Sequence, residues 1–328
     1  IGNVCGTRRT FIMPNYQGVW SLTVQMQNVS DWPTGPENAL FFGGYTGVRI
    51  ATIDRVIITT LGNATDFGDL TTGSLRGSAC SSVTRAVKSL GNTTSNSNSN
   101  TIEYVEFATS GNATDFGDLT TGRQSPSSFS SSTRGCWAGG NQTNIIDYVT
   151  IASTGNATDF GDLLATFNDL PAGLASPTRG VVAGGQSNSL GDYANTIQYV
   201  TIASTGNATD FGDLTQGRKS TTGAASSTRG TIGGGSPPSY SNVIDYITIA
   251  STGNATDFGD LTEAKRSSSG AAGTLRAIFA GGQTSSTYIN VIDFITIAST
   301  GNASDFGDLT ASKSGMGQGG STAHGGLQ

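Results

Sequence analysis

The sequence predicts an all-β protein, a β-propeller of four-stranded antiparallel blades set around an axis, and three observations carry that expectation. The phrase Gly-Asn-Ala-Thr/Ser-Asp-Phe-Gly-Asp-Leu occurs six times, starting at Gly62, Gly111, Gly155, Gly206, Gly253 and Gly301. The intervals of 49, 44, 51, 47 and 48 residues fall in the range of stacked or radial repeat arrays. Each interval holds short β-rich runs without helical periodicity, which is room for four strands. One of those runs is apolar at nearly every position instead of alternating, as a strand covered on both faces must be.

Residues 1–38 lack the repeat phrase. Thr10–Met13 and Val19–Met26 read as two strands, and Asn28-Val-Ser-Asp-Trp-Pro33 echoes the repeat. This stretch is expected to be an N-terminal docking segment, with a degenerate blade as the alternative, and residues 39–328 the propeller.

From Ala39 a four-part order recurs. First comes an apolar strand ending in glycines, as in Leu40–Gly44, Cys136–Gly140, Val181–Gly185, Ile232–Gly235 and Ile278–Gly282. The second unit departs from this with Ala86-Val-Lys-Ser-Leu-Gly91. The glycine pairs are expected near the axis, where backbones crowd. A longer strand of β-branched and aromatic residues follows, such as Ile146-Asp-Tyr-Val-Thr-Ile-Ala152. Ser-Thr-Gly-Asn then makes a hairpin turn, because Gly and Asn tolerate positive φ. The Asp-Phe-Gly-Asp strand comes next, and a Ser/Gly/Ala-rich strand leads to a Thr-Arg pair.

Numbered outward from the axis, the units begin on a second strand and end on a first strand, near Lys313 to Ser321. The chain ends are therefore expected to share one blade and close the ring. Six motifs imply six blades, or seven if residues 1–38 supply another.

Composition narrows the function. Charged residues are 12% and the net charge is −6, without a basic tract, so nucleic acid is not an expected partner. Twelve of the 23 acids belong to the repeat phrase, which makes the negative charge largely its by-product. No apolar run reaches the ~20 residues of a membrane helix, and no membrane insertion is expected. The chain starts at Ile1 and not Met, so the lack of a targeting signal says little. Cys80 and Cys136 lie in strand contexts and read as buried thiols; with Cys5 they are too few for a disulfide framework.

The repeat residues are expected to be structural. They are Asp66, Phe67 and Asp69; Asp115, Phe116 and Asp118; Asp159, Phe160 and Asp162; Asp210, Phe211 and Asp213; Asp257, Phe258 and Asp260; Asp305, Phe306 and Asp308. Each Phe should pack between blades, and the acids should bond turn amides or a neighbouring Arg. Arg134, Arg179 and Arg229 of the Thr-Arg pairs are expected to brace adjacent blades through those acids. Asp-Phe-Gly also spells a kinase motif, but the glycine-rich loop, strand lysine and catalytic loop are missing. Acids three apart leave structural calcium as a minor alternative, and no other metal or cofactor is expected. The Asn-Ala-Thr/Ser sequons at Asn63, Asn112, Asn156, Asn207, Asn254 and Asn302 should serve the turn itself.

No catalytic residues stand out. The one histidine, His324, cannot supply a Ser/His/Asp triad from a glycine-rich tail. Glu37, Glu103, Glu106 and Glu263 form no evident pair, so the protein is not expected to be an enzyme. A carbohydrate-active enzyme on a propeller scaffold stays open as an alternative.

The repeats differ most in two sets of connections, those between second and third strands and those after each Asp-Leu. In a radial blade both lie on one side of the disc. That face carries Tyr193, Tyr240, Tyr288, Arg123, Arg218, Lys265 and Arg266, a composition suited to polar recognition. Loop drift without a ligand is the plainer reading of the same variation.

The order of Ala138-Gly-Gly140, Tyr148, Phe160 and a following Arg123, Arg218 or Lys265 resembles the kelch repeat over roughly residues 39–322. Here Phe stands where that repeat has Trp. The phrase Ile244-Asp-Tyr-Ile-Thr-Ile-Ala-Ser-Thr-Gly-Asn-Ala-Thr-Asp-Phe-Gly-Asp-Leu-Thr262 resembles the repeat phrase of structural proteins of marine tailed phages, cyanophages in particular. That resemblance implies a virion component in a tail, fibre or surface position, with other virion proteins and a host-surface glycan as partners. A purely architectural capsid or tail decoration is the alternative.

Overall fold

The computed structural model describes residues 36–95, 97–169 and 171–323, and the expected docking segment therefore lies outside the described residues, except for its last positions. Six four-stranded antiparallel sheets and one two-stranded sheet account for the described strands, with no helix among the described residues. The protein is a six-bladed β-propeller.

Blade 1 comprises Asn38–Phe42, Thr52–Ile57 and Thr65–Asp69, with Gly320–Ser321 innermost. Blade 2 is Ala79–Ser81, Arg85–Ser89, Thr101–Glu106 and Thr114–Asp118. Blade 3 is Ser127–Ser130, Arg134–Ala138, Thr143–Thr150 and Thr158–Phe167. Blade 4 is Ala172–Ala175, Arg179–Ala183, Thr196–Thr201 and Thr209–Asp213. Blade 5 is Thr222–Ala225, Arg229–Gly233, Val243–Thr248 and Thr256–Asp260. Blade 6 is Ser269–Ala272, Arg276–Gln283, Tyr288–Thr296 and Ser304–Asp308.

The ring closes through both chain ends, with Ala39 opposite Ser321 and Leu40 opposite Gly320. The closing strand is shorter than the expected Lys313–Ser321. Lys313 is drawn into an ion pair with Asp54, and Ser314 bridges Tyr45, so pairing begins only at Gly320. Six blades complete the circle, and a seventh is not required.

Small residues let the innermost strands converge. A Cβ on Gly223 would run into the Gly173 carbonyl, and one on Gly270 into that of Gly223. Gln318 caps this packing by donating to the carbonyls of Gly223 at 2.5 Å and Gly270 at 2.9 Å. The axis keeps a void of only ≈20 Å³ among residues such as Ala79, Ser128, Ala224 and Ala271, space for about one water. The glycine doublets sit where backbones crowd, and a Cβ on Gly140 would lie 2.5 Å from the Gln124 carbonyl oxygen. Gly43 (φ 60) and Gly44 (φ 114) turn the chain out of the second strand, in a conformation that favours glycine. In blade 2 a single Gly91 (φ 72) serves.

Apolar cores fill the gaps between neighbouring blades. Phe129, Cys136, Ile146 and Phe160 of blade 3 pack with Val182, Val200 and Ile202 on the blade 4 side. Within each blade the repeat Phe meets an aromatic of the third strand edge-on, as in Tyr148–Phe160 at 5.8 Å and Tyr246–Phe258 at 5.9 Å. That geometry suits the ring quadrupoles. Blade 1 substitutes Arg55 over Phe67. Cys80 and Cys136 are buried free thiols, and burial pushes the Cys80 thiol well above its usual value.

Candidate functional site

The repeat phrase carries both halves of every outer junction between blades. The Asn after the turn glycine accepts a hydrogen bond from the backbone N–H of the second repeat Asp in the preceding blade. Asn112 takes Asp69, Asn156 takes Asp118, Asn254 takes Asp213 and Asn63 takes Asp308, each at 3.0 Å. Backbone bonds flank it, such as Gly253 N–H to Phe211 O and Ala255 N–H to Asp213 O, each at 2.7 Å. The repeat glycine permits the approach: Gly212 (φ 145) would place a Cβ 2.5 Å from the Gly253 carbonyl oxygen. One phrase is therefore both donor and acceptor of the same contact, which accounts for its near-identity in six copies. The sequon Asn thus joins blades, beyond serving its own turn.

The repeat acids do not hold the arginines. Asp66 Oδ1 accepts from the Gly68 N–H at 3.2 Å, within its own strand. Arg134, Arg179 and Arg229 do brace the next blade, but through carbonyls, donating to Ile202, Ile249 and Ile297 at 2.9, 3.0 and 2.9 Å. Each guanidinium also lies over the third-strand tyrosine of its own blade, at 4.7, 4.5 and 4.6 Å. The flat cation suits both tasks. No group of three or more His, Cys, Asp or Glu side chains converges among the described residues.

Three cations expected on the recognition face are interior. Arg123, Arg218 and Lys265 are fully buried and pair with Asp147, Asp245 and Asp293 of the following blade at 3.0, 2.7 and 2.8 Å. Lys313 pairs with Asp54 at 3.1 Å in the same way. Each acid follows a buried Ile in the third strand and also receives the threonine after the repeat Leu, as Thr215 Oγ1 donates to Asp245 at 2.6 Å. Arg218 further donates to the carbonyls of Val243 at 2.6 Å and Gly234 at 3.2 Å. Burial pulls the Arg123, Arg218 and Lys313 pKa values down, and the facing acid opposes that shift. A buried charge persists only when paired in this way.

Two junctions depart from the ion pair. Between blades 3 and 4, Phe167 takes the cation's place and Gln198 the acid's, with Leu164 N–H donating to Gln198 Oε1 at 2.8 Å. Between blades 1 and 2, Ser74 stands where the cation would be. Glu103 there accepts from Thr71, and burial raises its pKa.

The loops between second and third strands do share a face with the linkers between blades. Tyr45 bridges Ser314, Asp169 bridges Gln186, Lys219 bridges Ser236 and Arg266 bridges Gln283. Of the expected tyrosines, Tyr193 lies under Lys219 at 5.2 Å. Tyr240 lies against Arg266, and Arg266 lines one concavity with Tyr288. Its guanidinium is 5.1 Å from the Tyr240 ring, its Nη2 donates to Gln283 Oε1 at 3.3 Å, and Tyr288 meets Tyr45 edge-on at 5.8 Å.

Beside this group opens a concavity of ≈220 Å³, walled by Tyr45, Leu75, Arg76, Arg266, Gln283 and Tyr288, with small residues such as Ser220, Ser267 and Gly315. Arg76, Ser267 and Gly315 share a left-handed backbone (φ 59, 53 and 67). They are linked in a chain by Arg76 N–H to Gly315 O at 2.6 Å and Gly315 N–H to Ser267 O at 2.9 Å. Tyr45, Arg76 and Gln283 escaped the sequence reading. They belong to three different segments, and no local pattern marks them as neighbours.

The fold and this face define a propeller with a uniform rim and one individualised side. No protein-family model matches the chain, and no curated protein matches it.

Proposed function

We propose that the chain is a non-enzymatic structural component of a tailed-phage particle, in a tail, fibre or other surface position. Its variable face contacts a host glycan or another virion protein. One observation carries the reading: six junctions are built from one repeated phrase, while the opposite loops each have their own length and side chains. A scaffold held constant beneath individualised loops is the arrangement in which binding residues concentrate. The kelch-like order of strands and the phage-like repeat phrase support the assignment, as resemblances. Fold alone does not decide function.

Antibody labelling of intact particles, imaged by electron microscopy, tests it. Label at tail tips or fibres is expected. Label spread over the capsid would favour an architectural decoration, and particles without label would reject the virion assignment. Release of reducing sugar ends from host polysaccharide by the purified chain would reject the non-enzymatic part.

A further inference from the structure

We infer that the ≈220 Å³ concavity between the blade 6 and blade 1 loops is a binding site for an acidic sugar, one carrying a carboxylate or sulfate on its ring. The inference rests on the recognition reading and adds the place and the ligand class. Pockets for drug-sized molecules run to about 300–1,000 Å³, so this volume suits a single ring-sized group.

The wall has two guanidinium groups, Arg76 and Arg266, and no acidic residue. Asp169 touches it through Ser220, whose Oγ donates to Asp169 Oδ2 at 2.8 Å. Arg266 is held in place by Tyr240 and Gln283, so its guanidinium is positioned before any ligand arrives. Arg76 is a non-glycine residue in left-handed backbone (φ 59), at a place where the neighbouring linkers have serine or glycine. The same left-handed turn recurs at Ser125, Ser220, Ser267 and Gly315, so what is particular to this position is the arginine side chain and not the backbone. The net charge of −6 makes two uncompensated arginines on one wall the more distinctive. Tyr45 and Tyr288 add apolar surface against which a sugar ring can lie, and Gln283 adds hydrogen-bonding groups for its hydroxyls. An arginine fork matches a carboxylate or sulfate in a planar, two-bond contact that a neutral hydroxyl cannot make.

The test is calorimetric titration of the 328-residue chain with three probes: trigalacturonic acid, its methyl ester, and a sulfated galactose disaccharide. At least one acidic probe should bind about tenfold or more tightly than the neutral ester, and more weakly as salt rises. Which acidic probe wins distinguishes carboxylate from sulfate. Arg76→Gln and Arg266→Gln should each lose about tenfold or more in affinity. The thermal midpoint of Arg76→Gln should stay unchanged, which separates lost binding from lost folding. Equal binding of acidic and neutral probes, with Tyr288→Ala abolishing both, would overturn the acidic class and leave glycan recognition standing. If no probe binds while the purified chain still blocks particle adsorption to host cells, the site is wrong and the recognition reading survives. If neither occurs, both fail.

Discussion

The buried ion pair between Arg218 and Asp245 offers the sharpest test of how blades are joined. Both side chains are fully buried, 2.7 Å apart, and come from consecutive blades. Asp245→Ala leaves the guanidinium with carbonyl partners only, and Arg218→Ala leaves the carboxylate with Thr215. Breaking one side of such a pair costs about 3–5 kcal/mol. At about 2 °C per kcal/mol for a domain of this size, either single change should lower the thermal midpoint by about 6–10 °C. The junction between blades 3 and 4 shows how the charge can be dispensed with, since Phe167 and Gln198 occupy the equivalent places. The double variant Arg218→Phe/Asp245→Gln should therefore recover at least about 2 kcal/mol relative to the sum of Arg218→Phe and Asp245→Gln made singly. Chemical denaturation of the four proteins measures this coupling. Single changes costing under about 1 kcal/mol, or a double variant equal to the sum, would refute the account.

Arg179→Ala removes a bond to the Ile249 carbonyl and a cation over Tyr199, and should cost about 1–2 kcal/mol; an unchanged midpoint would reject the brace. At the rim, Asn254→Ala should cost about 0.5–1 kcal/mol, and Gly212→Ala more, because its Cβ meets the Gly253 carbonyl oxygen at 2.5 Å. The reverse order in urea midpoints would contradict the close-approach argument. Lys88 is buried, donates to the Met316 carbonyl at 2.6 Å, and has its pKa lowered to about 7 by desolvation and then by Lys313. Unfolding therefore takes up a proton between pH 7 and the unfolded value of about 10.4, so stability should rise with pH by up to about 1.4 kcal/mol per unit. Lys88→Met should flatten that rise, and an equal slope in both proteins would count against the burial. Removing residues 318–328 deletes the closing strand and the Gln318 contacts, and should broaden the unfolding transition seen by calorimetry. A sharp, unshifted transition would show that closure is dispensable.

Much of the fold was legible in the sequence because it is written in local periodicities. The six-fold phrase, the strand-length runs and the offset of the first and last units implied six blades and a shared closing sheet. The buried Phe67 and its counterparts, and the thiols of Cys80 and Cys136, were readable from their apolar settings. The partners of charged residues were not. Arg218 follows a loop and looks solvent-facing, and only the radial placement of the next blade sets Asp245, 27 residues on, against it. The repeat acids drew attention by their regularity, yet their backbone amides, and not their carboxylates, hold the rim together. Arg76 came from a linker and Tyr45 from a loop within blade 1, so their meeting with Tyr288 was invisible.

The sequence by itself determined the repeated unit and its strand order, because period and polarity are properties of neighbouring residues. Tertiary structure alone decided that six blades close the ring, which cations are buried and which side chains share a concavity. Those outcomes depend on distances between segments that only ring closure sets.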